Sequence, residues 1–408
     1  LIRYHASWVV PVAAPPIPNG WIDIHGGRIV AVGAGHTSSL HEQRHLGRVA
    51  VLPGLVNAHT HLELSFLHGE VPPSASFNEW VTTMMARRRA AGFAPDAPPV
   101  VFAAARAIEQ AQAAGTGLVG DVSNTLATVS ALREAHMPAL LFHELIGFNL
   151  ADVGGRVRSA RAAIDAAPTT DDIRVTIAPH APYSVSPALF GAIRDDVNAH
   201  APSITTVHLG ESEPELELLR SGTGVVRAML ERLGAWSDDW RAPGCSPVEY
   251  LAELGFLDAQ TLVVHGVQFT QADLGRLSSI GATLVSCPRS NVYVGVGSPP
   301  LESFYASGVP VAFGTDSLAS VDDLNLFSEL AEARRIAPAV PASALLESAT
   351  RSGARALGFE TELGTLETGK RARLLAVSIP AHVSDVEEYL VSGVQPEQLR
   401  WLAADDHR

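Results

Sequence analysis

Eight short apolar runs, each breaking off into polar residues, recur through the middle of the chain: VAVLPGLVNAHTH, TGLVGDVSN, PALLFHELIGF, RVTIAPHAPY, ITTVHLGES, TLVVHGVQ, ATLVSCPRSN and VPVAFGTDS. A run that is apolar throughout, without alternation, reads as a strand buried on both faces, which is the condition of a parallel sheet. Most of the runs lead into helix-like stretches, among them 125–137, 186–200 and 270–281. Eight strand–helix units predict an α/β fold, a (β/α)8 TIM barrel over residues 53–359.

The two ends of the chain read differently. Residues 1–52 hold short strands with turn signals, and GWIDIHGGRIVAVG is a hairpin pattern around Gly26-Gly27. Near the other end, GTLETGKRARLLAVSIP is again a turn followed by an apolar strand. These ends predict a small β-sandwich domain built from 1–52 plus 360–408. The opening LIRYHASWVVPVAAPP lacks a clean apolar signal core and cleavage site, so it reads as the first strand of the fold.

Composition narrows the partners. Hydrophobic residues make up 47% and charged residues 18%, the balance of a globular enzyme. A formal net charge of −14 argues against nucleic acid or an anionic membrane as a partner. No apolar run reaches the ~18 residues of a membrane span. Two distant cysteines, Cys245 and Cys287, form no disulfide framework and fit a reducing cytoplasm. A homodimer is left open.

In a barrel of this kind the reactive side chains sit at the C-terminal ends of the strands. The first run ends His59-Thr60-His61, and positions i and i+2 of a strand point to the same side. Two converging imidazoles are costly to bury without partners, which suggests a metal. The fourth run ends at His180, the fifth at His208, the sixth at His265 and the eighth at Asp316. Glu211 follows three residues after His208.

LPGLVNAHTHLE, HLGES, VVHGV, CPRSN and GTDSLAS occur in that order, each at a predicted strand end. In this the chain resembles the amidohydrolase superfamily, in its cytosine- and adenosine-deaminase-like branch, over nearly its whole length. The resemblance implies metal ligands at His59, His61, His208 and Asp316, a set that suits Zn²⁺ and also accepts Fe²⁺. Many superfamily members hold two metals bridged by a carboxylated lysine on the fourth strand. The only lysine here is Lys370, outside the barrel, so one metal per chain is expected. Glu144, ending the third run, is the remaining candidate for a bridging carboxylate.

The resemblance also implies a reaction. Zn²⁺ lowers the pKa of water from about 15.7 to about 7. Asp316 would take the water's proton, His265 would orient the oxygen, and Glu211, in the H-x-x-E spacing of the deaminases, would protonate a ring nitrogen beside the amino-bearing carbon. Glu213, Glu215 and Glu217 read as the solvated start of a helix. His180 resembles the histidine that contacts substrate in nucleoside-type deaminases, and Asn291 reads either as a turn residue or as a substrate contact.

The stretch SFNEWVTTMMARRRA predicts a lid helix, with Trp80 facing the substrate. It resembles the F-x-E-W segment of deaminases acting on 6-aminopurine nucleosides. Those enzymes tend to place a ribose-holding glutamate about two turns past the tryptophan, where this chain has Arg87, Arg88 and Arg89. An arginine there suits a carboxylate. The leading expectation is therefore an aminodeoxyfutalosine-type substrate, an adenine nucleoside carrying a benzoate, met by Arg88 or Arg89. Methylthioadenosine, S-adenosylhomocysteine, adenosine or guanine deamination and s-triazine dechlorination use the same metal and remain alternatives. Glu211 disfavours ring-amide hydrolysis. A non-catalytic relative would have lost ligands that this chain retains.

Overall fold

All eight apolar runs form strands, arranged as two four-stranded parallel sheets. The computed structural model describes residues 1–35 and 42–402; positions 36–41 and 403–408, both within the expected terminal unit, lie outside the described residues. The first sheet holds strands one to four, Leu55–Thr60, Thr116–Ser123, Ala139–Leu145 and Ile173–Pro179, in chain order. The second holds strands five to eight, Thr205–Leu209, Thr261–His265, Thr283–Ser286 and Val311–Phe313.

The edges of the two sheets meet twice. Between strands four and five, the His208 amide donates to the His180 carbonyl at 2.9 Å. Between strands eight and one, the Thr315 and Asp316 amides both donate to the His59 carbonyl at 3.1 Å, and Thr60 bridges Asp316 in parallel register. Asn57 reinforces this second seam, giving its side-chain amide to Thr315 Oγ1 at 2.8 Å and accepting the Thr315 amide at 3.1 Å. Alternate residues of the strands feed two apolar clusters. Val56, Ala58, Leu140, Phe142, Leu262 and Val264 belong to one, while Leu55, Leu141, Val207, Val263 and Phe313 belong to the other. Burial of both faces accounts for the unbroken apolar character of the runs.

The helices follow the sequence reading with one shortening. The stretch 186–200 forms Pro187–Ala199, capped by Ser186, and 270–281 forms Gln271–Ile280 behind a Thr270–Asp273 capping box. Within 125–137 only Val129–Glu134 is helical, because Ser123, Thr125 and Thr128 spend their hydroxyls on loop amides and buried carboxylates. Among the described residues, no helix is long and apolar enough to cross a membrane.

Strands from both ends of the chain join one seven-stranded sheet. Leu374–Ser378 pairs antiparallel with Val49–Pro53, which lies parallel to Ile2–Val9, and the hairpin Ile17–His25 and Arg28–Ala34 continues the order. The sheet has its own apolar cluster, including Ile2, Tyr4, Ile22, Ile24, Val51 and Leu374.

Candidate active site

The polar strand ends converge on one place. Strand one stops at Thr60, so His61 is the first residue beyond it and caps the 3-10 turn Leu62–Leu67. The His59 and His61 rings nevertheless lie 4.9 Å apart, edge to face. His208, from strand five, brings its Nε2 to 3.3 Å from His61 Nε2. Ring nitrogens of His59, His61 and His208 all fall within 4.8 Å of one another. Asp316 Oδ1 lies 3.5 Å from His61 Nε2 and 3.8 Å from His59 Nε2. Its other oxygen, Oδ2, accepts from Ser290 Oγ at 2.6 Å and Ser320 Oγ at 3.2 Å, which turns Oδ1 toward the histidines.

This donor set fits a divalent cation. Both ring nitrogens of His59 are buried without a hydrogen-bond partner, an arrangement that costs free energy unless something else takes a lone pair. Burial first, and then the neighbouring imidazoles, push the His59 pKa well below its usual value, so the ring stays neutral as a ligand must be. His208 is pushed well down for the same reasons. Burial alone would raise Asp316, but His61, His265 and the Ser290 hydroxyl outweigh it and hold the carboxylate below its ordinary range.

A second pair faces this cluster. Glu211 Oε1 lies 3.7 Å from His265 Nε2. Burial, then the charges of Asp316 and Glu215, push the Glu211 carboxyl well above its usual range, so it keeps its proton. Burial takes His265 down to about 4, and its Nδ1 accepts from Asn291 Nδ2 at 3.0 Å, which leaves the proton on Nε2, beyond hydrogen-bond distance of Glu211. His265 and Asp316 both adopt left-handed backbone, with φ of 78° and 61°. Such conformations cost non-glycine residues ~1–3 kcal/mol and persist where the surroundings enforce them. Gly314, two residues before Asp316, is a packing requirement: a Cβ there would sit 2.7 Å from His59 Cβ and carbonyl oxygen.

His180 joins the cluster with its ring 4.9 Å from His208 and edge-on to Tyr183. Ser184 Oγ donates to the Ala181 carbonyl and lies 2.6 Å from His180 Nδ1, so Nδ1 carries the proton and Nε2 is an acceptor. Burial brings this ring down to about 3. Across residues 50–395 the sequence matches the description Amidohydrolase family. The chain belongs to the amidohydrolase family.

Its similarities to characterised relatives run nearly full length. The amidohydrolase is 30% identical to the 5-methylthioadenosine/S-adenosylhomocysteine deaminase of Halobacterium salinarum, over 90% of this chain and 82% of that protein. It is 31% identical to the aminodeoxyfutalosine deaminase of Deinococcus radiodurans, over 82% of each chain. The crystal structure of an adenosine deaminase from Xanthomonas campestris with bound zinc superposes with a TM-score of 0.84 at 27% identity, covering 99% of this chain and 91% of that one.

The helix expected as a lid departs from the simplest expectation. Helix Phe77–Ala91 buries only Trp80, whose ring packs against Leu67, Val71, Val294 and Ala319. Arg88 is half exposed and points Nη2 to 3.9 Å from Glu63 Oε1, so its nearest carboxylate belongs to the amidohydrolase itself. Arg89 lines a cavity of about 440 Å³ with Met85, Met229, Arg232 and Leu233, between this helix and Val225–Arg232.

The acidic run after strand five needs a correction. Glu213 and Glu217 are solvent-facing or partly so, but Glu215 is completely buried. Its carboxylate accepts the amides of Gly210 and Glu211, both at 3.1 Å, in place of water. Glu63, two residues past His61, was also missed. It is buried and accepts from Ser123 Oγ, the Asn124 amide and Thr125 Oγ1 at 2.7, 3.0 and 2.8 Å. No spacing distinguishes Glu215 within ESEPELE. Glu63 had a faint signal, a carboxylate on an otherwise apolar segment directly after the histidine pair.

Proposed function

We propose that this amidohydrolase is a hydrolytic deaminase of a 6-aminopurine nucleoside. The observation that carries the reading is the facing of two sets of groups: the His59–His61–His208–Asp316 cluster on one side, the proton-bearing Glu211 beside His265 on the other. We take His59, His61, His208 and Asp316 to hold one Zn²⁺ per chain, with Fe²⁺ as the alternative the same donors accept. When bound, the cation supplies Lewis acidity and makes hydroxide accessible at neutral pH.

The chain's own groups handle the protons. Asp316 Oδ1 accepts the proton of the attacking water. His265 Nε2–H orients that water by donating to its oxygen. Glu211 donates its proton to the ring nitrogen adjacent to the amino-bearing carbon, making that carbon electrophilic. The water oxygen bonds to that carbon, Asp316 passes its accepted proton to the amino nitrogen, the C–N bond breaks with its electron pair leaving on ammonia as C–OH becomes C=O, and the hydroxyl proton restores Glu211. His180 Nε2, as an acceptor, takes a hydrogen bond from a donor on the base or sugar. We take Asn291 to act through His265, and Trp80, packed against Leu67, Val71, Val294 and Ala319, to stand as an apolar wall for the substrate. In this reading the two sheets close as an eight-stranded barrel of residues 53–359. The single seven-stranded sheet built from both ends of the chain supports one separate unit of 1–52 plus 360–408, which we propose folds over on itself as a β-sandwich.

For the substrate, we favour an aminodeoxyfutalosine-type nucleoside carrying an aryl carboxylate. Arg89 supports this: it faces a largely apolar cavity beside Met85, Met229 and Leu233, with Arg232 as a second cation, and neither arginine makes a salt bridge among the described residues. Arg88, beside Glu63, serves less well. The similarity to the Deinococcus enzyme supports the same class, and that to the Halobacterium enzyme supports methylthioadenosine or S-adenosylhomocysteine as the competing substrate. The test is ammonia release from a panel of adenosine, methylthioadenosine, S-adenosylhomocysteine and aminodeoxyfutalosine, with wild type and Arg89→Ala. A preference of at least tenfold for the aryl carboxylate, lost in the variant, is expected. Equal rates with and without the benzoate would reject that substrate, and no turnover of any aminopurine nucleoside would reject the deaminase reading.

A further inference from the structure

Glu144, at the end of strand three, has a carboxylate oxygen that the chemistry above leaves unused. The residue is only 4% exposed, and Oε1 is buried with no hydrogen-bond partner. Its neighbour Oε2 is held, accepting from Asn124 Nδ2 at 2.8 Å. The free oxygen lies 3.6 Å from Nδ1 of His208, the ring whose Nε2 faces His61. A buried, half-satisfied carboxylate is expensive unless a positive charge forms nearby.

The tautomer of His208 says where that charge forms. Its Nδ1 donates to the His180 carbonyl at 3.1 Å, so the Nε2 lone pair is left for the cluster with His59 and His61. An imidazole that gives its lone pair to a cation becomes electron-poor, and its Nδ1–H becomes a stronger, more positive donor. Carboxylates placed behind ligating histidines exploit this by orienting the ring and raising its basicity. The same Nδ1–H is excluded as a ligand, so Glu144, His180 and His208 do not make a second cation site even though their donor atoms cluster.

Resting on the metal reading above, we propose that Glu144 is a positioning residue for the metal centre, its Oε1 carboxylate charge set behind His208 to strengthen that ligand. A hydrogen-bonded belt fixes it there. Glu63, two residues beyond His61, accepts the Asn124 amide, and the Asn124 side chain holds Glu144. The belt runs from the neighbourhood of one ligand, across the loop after strand two and the end of strand three, to the back of another. It ties the geometry of two ligands on non-adjacent strands to each other.

The experiment measures zinc affinity of apo-protein by chelator competition, with zinc stoichiometry and circular dichroism on the same samples, for wild type, Glu144→Ala and Glu144→Gln. Loss of such a carboxylate typically weakens metal binding ~10–100-fold. That loss is expected in Glu144→Ala, with a smaller one in Glu144→Gln, which keeps volume and an acceptor but not the charge. A purely structural role would change the folded fraction and leave the affinity of the folded protein alone. Wild-type affinity in both folded variants overturns the proposal, and should Glu144→Ala not fold, wild-type affinity in Glu144→Gln alone does so. Two zinc ions per wild-type chain, falling to one in Glu144→Ala, also overturn it, because Glu144 would then be a ligand. A wild-type protein that takes up no zinc overturns the metal reading as well, which separates that failure from this one.

Discussion

Glu215 accepts the backbone amides of both Gly210 and Glu211, and this pair of bonds sets the turn that aims Glu211 at His265. Gly210 makes the turn possible, with φ of 61° and with a would-be Cβ only 2.2 Å from the Phe269 ring. Removing the Glu215 carboxylate leaves two buried amides unpaired, at ~1–3 kcal/mol each. Glu215→Ala is therefore expected to lower kcat ~10–100-fold while zinc content stays at the wild-type level. Equal kcat in the variant would show that Glu211 is held by something else.

Glu211→Gln keeps the shape of the side chain and removes its proton. If Glu211 is the acid, kcat should fall ~10²–10⁴-fold. Metal analysis should show unchanged zinc, since the carboxyl faces His265 and not the ligand cluster. Steady-state ammonia release measures the first outcome and elemental analysis the second.

Removal of metal should be felt in stability as well as activity. The two buried nitrogens of His59 are unpaired without a cation, and a ligand that binds only the folded state stabilises it by mass action. Zinc added to apo-protein at about 100-fold above its Kd is expected to stabilise by ~2.7 kcal/mol, seen as a rise in Tm. His59→Ala should abolish the zinc-dependent part of that rise, and a zinc response as large as wild type's would count against His59 as a ligand.

Gly314→Ala tests the seam between strands eight and one. The added methyl meets His59 backbone and Cβ atoms at 2.7 Å, contacts that only a shift of either strand relieves. Overpacking of this kind costs ~1–3 kcal/mol. Both a lower urea midpoint and weaker zinc binding are expected, because His59 and Asp316 sit on the two strands that must part.

The pH dependence of apo-protein stability has two opposed parts: the buried histidines, which take up protons only on unfolding, favour the fold as pH rises, while two buried carboxyls favour it at acid pH. Burial raises Asp121 to about 7, although Thr128 Oγ1 and the Leu62 amide bond to it. Glu215 is raised to about 7 by burial as well. Between their unfolded values and about 7, these two carboxyls bind more protons in the folded chain than in the unfolded one, so their own contribution is greatest at the acid end and is lost as pH rises through about 7. Asp121→Asn, which can still accept from Leu62, lacks the Asp121 share, so the urea midpoint of wild type minus that of the variant should be larger near pH 5 than near pH 8. A difference that does not shrink as pH rises would contradict this.

What the sequence made legible was set by periodicity and by position. Unbroken apolar runs located all eight core strands, and the polar residue closing each run located His59, His180, His208, His265 and Asp316. The helix Phe77–Ala91 was legible, but the direction of its arginines was not: Arg88 turns to the buried carboxylate of Glu63 on the neighbouring turn, a tertiary fact with no local trace. Glu215 was hidden for a similar reason. Acidic residues at a helix start are favourable in water, so its burial beneath Gly210 and Glu211 left no compositional mark. Glu63 and Asn124 matter through hydrogen bonds spanning some 60 positions, beyond the reach of any spacing rule.

The hydrogen bonds from Thr315 and Asp316 to the His59 carbonyl join a segment made early on the ribosome to one made late. While the chain is being synthesised, strand one therefore has an open edge, and two of its histidines wait for their aspartate. Long-range pairings of this sort are the slow and exposed part of folding. In the proposed metal reading, cation capture by His59, His61, His208 and Asp316 together is thus a terminal event in biogenesis, and a polypeptide truncated before strand eight carries three imidazoles with no carboxylate to complete the set.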